Sequence, residues 1–275
     1  MTSAIISTII DECRKFAVNE IRSTSLEMDL SPDADRVRRI WGKSSQMDLP
    51  WLSVPEIFSG GGCTPLECAK ILETLAAECA GVASIYAHHY CACTPLLVAH
   101  AEIQKKWFAK FIDPKNAPLM ASVMLPEEFD ESTLSWTKEN GQCILNGKSP
   151  IFGSVMLADG FMVFPSETGH PENILCLWID RAAAGVAFGE PLQLPGLKIN
   201  SFGSILFNDV RVLPDHMMAD GQAAQKMLSA ARSSFYGFTA AIAVGAARRA
   251  FEKALDYAKE RYQFGKKIIL VIHFD

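Results

Sequence analysis

The sequence predicts an α+β fold, because helical and strand periodicities occupy separate stretches of the 275-residue chain. Apolar residues recur at helical spacing in the first stretch, short strands with turn signals follow, and helical spacing returns from Ala219. No regular βαβ alternation is present, which argues against a Rossmann fold. We therefore predict a helical domain over 1–119, a β domain over 120–218 and a partial helical domain over 219–275.

Three helices are predicted in the first domain. The clearest covers residues 66–80, whose apolar side chains share one broad face. Gly81 separates it from a second helix over 82–93, and Pro95 interrupts that helix. The third helix covers residues 103–111.

The β domain begins with two turn signals of the same kind. Asn140-Gly141 lies between short apolar runs, and Asn146-Gly147 follows closely. Both dipeptides tolerate positive φ, so both are hairpin signals. Further strands are predicted at 161–164, 174–178 and 204–207.

Composition excludes several classes of protein. The net charge of −5, without a basic block, argues against a nucleic-acid partner. No apolar run reaches the length of a membrane span. Residues 1–12 lack a basic leader and read as the start of a soluble helix. The eight cysteines show no framework spacing, which is typical of reduced thiols and favours a cytoplasmic location.

The end of the chain is a helix followed by an apolar tail. Its small apolar residues form a stripe that allows another helix to approach closely. Arg248 and Glu252 are spaced to pair, and Gly265 is expected to end the helix. Residues 268–272 are apolar and need cover, either within the chain or on a partner.

This last helix and its turn, in which residues 260–266 read Glu-Arg-Tyr-Gln-Phe-Gly-Lys, resemble a signature of the acyl-CoA dehydrogenase family. Weaker matches precede it in the family's order. They are the Pro55-to-Gly62 loop, Leu72-Glu73-Thr74-Leu75-Ala76, Ile103-Gln104-Lys105-Lys106-Trp107, Leu145-Asn146-Gly147-Lys148 and Phe207-Asn208-Asp209-Val210-Arg211-Val212.

The resemblance implies a helical domain, a β-barrel-like middle domain and the start of a helical bundle. It also implies FAD as cofactor, an acyl-CoA thioester as substrate and a place in fatty acid metabolism, without naming the electron acceptor. The chain stops at Asp275, before most of that bundle. We therefore expect a homo- or hetero-oligomer, in which a second chain covers the exposed helix.

Cofactor-binding residues carried over from the resemblance fall in two groups. In the terminal turn, Arg261, Gln263 and Phe264 match residues that contact the flavin nucleotide of a neighbouring subunit. In the β domain, Met124 opens the flavin strand, and Ile151 and Gly153 match a second flavin segment. These last two positions usually carry an aromatic ring and a hydroxyl, and here the hydroxyl is missing unless Ser154 supplies it.

The sequence departs from the family pattern at positions that would contact the flavin and the ligand. In the flavin strand, Phe129 and Asp130 replace the usual glycine and serine, and the acids at 127, 128, 130 and 131 would repel a pyrophosphate. Tyr236 occupies the usual place of a ligand-binding arginine, and Arg232 lies one turn earlier.

No residue is expected to serve as the catalytic base. The resemblance places the base of most family members in the later helical bundle, before which this chain stops, and residues 229–245 contain no Asp or Glu. Phe235 stands at the place where a minority of the family carries it. Three interpretations stay open: an oxidoreductase that needs a partner for the base, a non-catalytic subunit that binds acyl-CoA or another chain, and an inactive truncated product.

A metal site is not expected. His88, His89, Cys91 and Cys93 are soft-metal ligand types, but neighbouring positions on a helix point in different directions. They are predicted to pack in the core or to line the acyl-facing wall of the family's pocket. The glycines at 60–62 lack a following Lys-Ser/Thr and form a turn.

Overall fold

The computed structural model describes residues 3–112, 120–126, 132–263 and 265–270. Its first part is helical, which confirms the first element of the predicted order. The helices are α1 (Ser3–Phe16), α2 (Ser25–Leu30), α3 (Ala34–Ser45), α4 (Pro65–Ala76), α5 (Ala80–Cys93) and α6 (Ala101–Phe111).

Helix α4 begins where its sequence provides a capping box. The Thr64 hydroxyl accepts a hydrogen bond from the backbone N–H of Glu67 at 3.3 Å, and the Glu67 carboxylate accepts one from the N–H of Thr64 at 2.8 Å. Pro65 follows at the first helical position, where its missing N–H costs nothing. The helix ends at Ala76, four residues before the predicted end.

Helix α5 is central, because all its residues from Gly81 to Cys93 are buried. The prediction that Gly81 separates two helices was wrong in detail, since Gly81 lies in the first turn of α5. A side chain at Gly81 would come within 2.5 Å of Ile199, so the glycine allows α5 to approach the sheet region closely.

Among the described residues, the middle of the chain forms one mixed sheet of nine strands. They are β1 (Ala121–Met124), β2 (Ser135–Glu139), β3 (Gln142–Lys148), β4 (Gly160–Val163), β5 (Ser166–Glu167), β6 (His170–Asp180), β7 (Val186–Phe188), β8 (Ile205–Arg211) and β9 (Met217–Asp220). Their order is β1-β4-β6-β5-β2-β3-β8-β7, with β9 paired to β6. The β1–β4 and β2–β5 pairs are parallel.

Two hydrophobic cores follow from this architecture. One packs the helices against β1, β4 and β6, and it includes Trp107 and Trp178. The other includes Phe152, Phe161 and Phe207 and draws its members from strands along the whole sheet, so the sheet curls around it. The helical part followed by a curled sheet confirms the predicted α+β class.

The two Asn-Gly signals have different outcomes. Asn140-Gly141 forms the predicted tight turn between β2 and β3, with φ values of 50° and 81°. Asn146-Gly147 does not form a turn, because it lies within β3 at an irregularity in the pairing with β8. Gly147 has a φ of 108°, and a side chain there would come within 2.2 Å of the carbonyl oxygen of Thr133.

The last helix, α7 (Gly221–Glu260), is 40 residues long. It starts after β9, so the predicted helical start at Ala219 was two residues early. It ends at Glu260, and the prediction that Gly265 terminates it was wrong. Gly265, with a φ of 79°, lies in the turn between β10 (Tyr262–Gln263) and β11 (Lys266–Lys267).

Only the first part of α7 is covered by the chain. Its last buried residue is Gly245, where it crosses α4. Beyond that point the predicted apolar stripe has no buried member, and Phe251 and Tyr257 are each 61% exposed. Arg248 pairs with Glu73 of α4 at 3.5 Å, which corrects the predicted pairing with Glu252.

The predicted domain boundaries stay predictions. Helix α6 ends at Phe111 and β1 begins at Ala121, and most of the stretch between them, with the boundary after residue 119, lies outside the described residues. No helix in the described ranges is long and apolar enough to cross a membrane.

Candidate functional site

Helices α5 and α7, strand β1 and residues 150–154 meet at one place, which we call the junction. The residues that join these elements there are His88, Ser122, Gly153, Asn200, Phe202 and Phe235. The Ser122 hydroxyl of β1 donates a hydrogen bond to the Gly153 carbonyl at 2.7 Å. The junction therefore holds Gly153, one of the predicted cofactor residues, against α5 and β1.

His88 is the titratable group at the centre of the junction. Its side chain is buried and contacts the rings of Phe202 and Phe235, each with a centroid 5.8 Å from that of the imidazole. Its Nδ1 has no hydrogen-bond partner among the described residues. Burial lowers the pKa of His88 to about 4, so the imidazole is neutral at physiological pH.

His89, the next residue, has a structural role. Its Nε2 donates to the carbonyl of Pro50 at 3.0 Å, and its Nδ1 accepts from the N–H of Ala121 at 3.1 Å. Both nitrogens are therefore used to tie α5 to an N-terminal loop and to the start of β1. Burial also lowers the pKa of His89 to about 4. Within the described ranges, no three His, Cys, Asp or Glu side chains are arranged to hold a metal ion.

Gly153 lies directly against His88. A side chain at position 153 would place its Cβ 2.4 Å from Nε2 of His88 and 2.5 Å from Nδ2 of Asn200. Ile151, the other predicted residue of this segment, is 57% exposed. Of the two predicted residues, Ile151 therefore lies at the surface and Gly153 is buried.

The hydroxyl of Ser154 does not replace the one missing at Gly153. It donates to Oδ1 of Asn200 at 2.5 Å, and Nδ2 of Asn200 donates to the hydroxyl of Ser84 at 2.8 Å. Ser154 is fully buried in this network. Its hydroxyl is thus committed to holding residues 150–154 against α5.

Met124 and Arg232 lie on β1 and α7, two of the elements that meet at the junction. Met124 is 1% exposed and belongs to the core inside the curled sheet. A guanidinium nitrogen of Arg232 donates to the carbonyl of Pro126, and its buried Nε has no partner among the described residues. The acids at 127–131 lie outside those residues.

The remaining predicted cofactor residues lie at the far end of α7. Arg261 is exposed and forms no ion pair with a described residue, and Gln263 is exposed in β10. Phe264 lies outside the described residues. At a rise of 1.5 Å per residue, the helix from Arg232 to Glu260 is about 40 Å long. Within one chain, the predicted cofactor-binding residues of the terminal turn therefore lie far from those of the β domain.

Three polar residues of the junction, His88, Ser122 and Asn200, were not among the predicted cofactor-binding residues, although His88 was expected to pack in the core or to line the acyl-facing wall of the family's pocket. Asn200 gave no local signal. His88 gave one, since a pair of histidines stood in an otherwise apolar helix, but the contact that matters is to Gly153, far along the chain.

The buried histidines predict a loss of stability in mild acid. Because their folded-state pKa values lie below 6.5, the unfolded chain binds more protons between pH 6.5 and about 4, and stability falls as the pH falls. Each histidine should contribute a loss of roughly 2 kcal/mol at pH 5. The hydrogen bond from Arg22 lowers the pKa of the Glu78 carboxyl. Ion-paired carboxylates of this kind reduce the stability only when the pH falls below their ordinary pKa of 4.5.

Urea unfolding at pH 7.5 and pH 5 measures this loss. His88→Phe should show a smaller loss than the wild type, and His100→Phe, which changes an exposed histidine, should match the wild type. A midpoint that does not move between the two pH values would contradict the expectation.

Comparison with solved structures identifies the fold. The butyryl-CoA dehydrogenase of Megasphaera elsdenii matches 98% of this chain and 72% of its own, with a TM-score of 0.82 and 21% identity. PigA, solved as its FAD complex, matches 98% and 71%, with a TM-score of 0.81 and 22% identity. The order of helices, curled sheet and long helix is thus the acyl-CoA dehydrogenase fold.

Sequence comparison then identifies the family. The family description "acyl-CoA dehydrogenase, N-terminal domain" matches residues 6–115, and "acyl-CoA dehydrogenase, C-terminal domain" matches residues 220–270. The chain belongs to the acyl-CoA dehydrogenase family.

Curated relatives have varied names. The 3-(aryl)acrylate reductase of Clostridium sporogenes is 26% identical over 266 residues, which cover 93% of this chain and 69% of the relative. A short-chain specific acyl-CoA dehydrogenase of Clostridium acetobutylicum is 26% identical over 269 residues, covering 93% and 68%.

Proposed function

We propose that this chain is an FAD-binding subunit that oxidises an acyl-CoA thioester at its α,β-bond only when a partner supplies the catalytic base. The observation that carries the proposal is the length of α7. It separates Arg261 from the junction by about 40 Å, so Arg261 and the junction of one chain cannot both contact the same cofactor molecule. Two chains can, if Arg261 of one reaches the nucleotide held at the junction of the other.

The residues at the junction fit a flavin. A flavin ring carries nitrogens and carbonyl oxygens on a flat apolar surface. Two buried polar atoms here, Nδ1 of His88 and Nε of Arg232, have no partner among the described residues. Ile151, in the neighbouring segment, is exposed and apolar, whereas Gly153 is buried. When bound, the flavin supplies the hydride acceptor for the oxidation.

Arg261 fits the other end of the cofactor. Its N–H donates to the carbonyl of Tyr257 at 2.9 Å, which fixes the backbone at the end of α7 and leaves the side chain exposed. A planar guanidinium donates several N–H groups to anionic oxygens, which suits a pyrophosphate. The acids at 127–131 oppose such an anion, so we expect weak or substoichiometric FAD.

Titration of FAD into the wild type and Arg261→Ala tests this function. The substitution should weaken binding about ten- to a hundredfold, because a charge-assisted contact contributes roughly 1.5–3 kcal/mol. Flavin fluorescence measures the affinity, and light scattering on the same samples measures assembly. Arg249→Ala, which removes another arginine of α7 whose side chain pairs with Glu252, is the matched control.

Three results would contradict the proposal. Tight binding that Arg261→Ala leaves unchanged would show that Arg261 does not contact the cofactor. Tight binding by a stable monomer would remove the need for a second chain. No binding of FAD under any condition, together with stable association with another chain, would favour the alternative of a non-catalytic subunit.

A further inference from the structure

The exposed side of α7 carries a regular row of apolar residues, which we call the seam. Successive members are alternately four and three residues apart, so they lie on one side of the helix, as in a coiled coil. The seam residues are Tyr236, Ala240, Ala243, Ala247, Ala250, Ala254 and Tyr257, and all of them are exposed. Two further large apolar side chains, Val244 and Phe251, lie beside the seam, and each is more than half exposed.

The chain itself covers the other side of α7. Phe238, Ile242 and Gly245 are buried there, where the helix packs on α4 and α5. The seam therefore presents to solvent an apolar surface about 30 Å long, flanked by four large side chains. Contiguous apolar surface of this extent marks a site of association with another molecule.

The order of residues in the seam is the same in both directions. A tyrosine stands at each end, and five alanines lie between them. A twofold dimer brings one surface of a chain against the same surface of its copy, so the surface must be complementary to itself. A second α7, laid antiparallel across the midpoint between Ala246 and Ala247, brings the tyrosines together at both ends. The alanines between them allow the two helices to approach closely.

The charges of α7 favour the antiparallel arrangement over a parallel one. Residues 233–247 carry no charged side chain, whereas residues 248–260 carry seven. In the antiparallel arrangement, the charged stretch of each copy lies along the uncharged stretch of the other. A parallel pair would instead place Arg248 beside Lys253 of the second copy, and the like charges would repel. Arg248 also lies near the antiparallel midpoint, where it pairs with Glu73 of its own chain at 3.5 Å.

We propose that two copies of this chain associate through an antiparallel α7 pair centred between Ala246 and Ala247. Each copy covers the seam of the other. The arrangement brings Arg261 of one copy level with Arg232 of the other, and Glu260 beside it offsets the like charge. Arg261 thereby approaches a second chain, as the proposed function requires, but the pairing itself does not rest on that function or on a bound flavin.

A charge at the midpoint tests the seam. Ala247→Glu would set two carboxylates against each other between closely packed helices, so the dissociation constant of the dimer should rise at least tenfold. Ala223→Glu makes the same change at an exposed position in the first turn of α7, outside the seam, and should leave the constant unchanged. Sedimentation velocity over a range of concentrations, on the full chain without FAD, measures the constant. Circular dichroism checks that both variants are folded.

Cross-linking tests the direction of the two helices. In an antiparallel pair, position 236 of one copy lies beside position 257 of the other, whereas equal positions lie about 30 Å apart. A mixture of Tyr236→Cys and Tyr257→Cys proteins should therefore form a covalent dimer with a short bis-maleimide, and neither variant should do so alone. The wild type, whose cysteines are all buried or half-buried, is the control.

Three results would overturn the pairing. They are a wild type that stays monomeric at every concentration, a dimer that Ala247→Glu leaves unchanged, and cross-linking within each single cysteine variant but not in the mixture. The proposed function is judged separately. If Ala247→Glu does not affect the dimer and FAD still binds through Arg261, the pairing is overturned and the function stands. If the dimer forms as described and binds no FAD, the function is overturned and the pairing stands.

Discussion

Substitution of Gly245 by valine is expected to remove about 3 kcal/mol or more from the free energy of unfolding. At Gly245 the backbones of α7 and α4 cross, and an added Cβ would lie 2.2 Å from the carbonyl oxygen of Glu73 and 2.9 Å from Cβ of Ala76. The nearest atom belongs to the backbone, so no side-chain rotation relieves the clash. The helices must separate, which opens the core between them.

Gly237→Ala is the matched control on the same helix. Nothing lies within 4 Å of the Cβ that this substitution adds, so it should stabilise the protein by about 0.5–1 kcal/mol through helix propensity. Urea unfolding followed by circular dichroism measures both variants. A Gly245→Val protein that unfolds at the wild-type urea concentration would show that the two helices do not cross as closely as described.

The chain by itself is expected to show no oxidation of acyl-CoA thioesters above a flavin-only control. Removal of the α-proton needs a carboxylate within hydrogen-bond reach, and residues 229–245 of α7 carry none. Phe235, at the position where the resemblance places an alternative base, packs against His88 instead. An assay with added FAD, an artificial electron acceptor and acyl chains of several lengths measures turnover.

A carboxylate introduced at this position tests the same argument in the other direction. Phe235→Glu in FAD-loaded protein should raise turnover by about 10² or more over the wild type, since a positioned base contributes 10²–10⁴-fold. Ser233→Glu adds the same charge at an exposed position of the helix and should have no effect. Substantial turnover by the wild type, or an equal gain from both variants, would contradict the assignment.

Local signals in the sequence were sufficient to predict the fold class and one of the two Asn-Gly turns. The order of periodicities predicted the α+β class, because each stretch buries a face with its own spacing. Asn140-Gly141 and Asn146-Gly147 are the same dipeptide, yet only the first is a turn. The difference is that Gly147 lies against Thr133, a contact that no local pattern records.

The candidate site was harder to predict for the same reason. Gly153 could be assigned to the segment from its neighbours along the chain, whereas the group beside it, His88, comes from a helix 65 residues earlier. The end of α7 was misplaced because Gly265 is also a signal for a turn, and here the turn joins β10 to β11. The assignments of Arg261, Gln263, Phe264, Met124, Ile151 and Gly153 to cofactor binding stay predictions.

The last part of α7, residues 246–260, has an energetic consequence for assembly. After Gly245 the helix has no buried residue, and a segment held by few contacts opens independently of the core. A partner that binds this last part must also fix its backbone, and that ordering reduces the affinity. Alanines recur along it, and neither glycine nor proline occurs between 246 and 260. High helix propensity keeps the segment close to its bound conformation, so less of the binding energy is spent on ordering it.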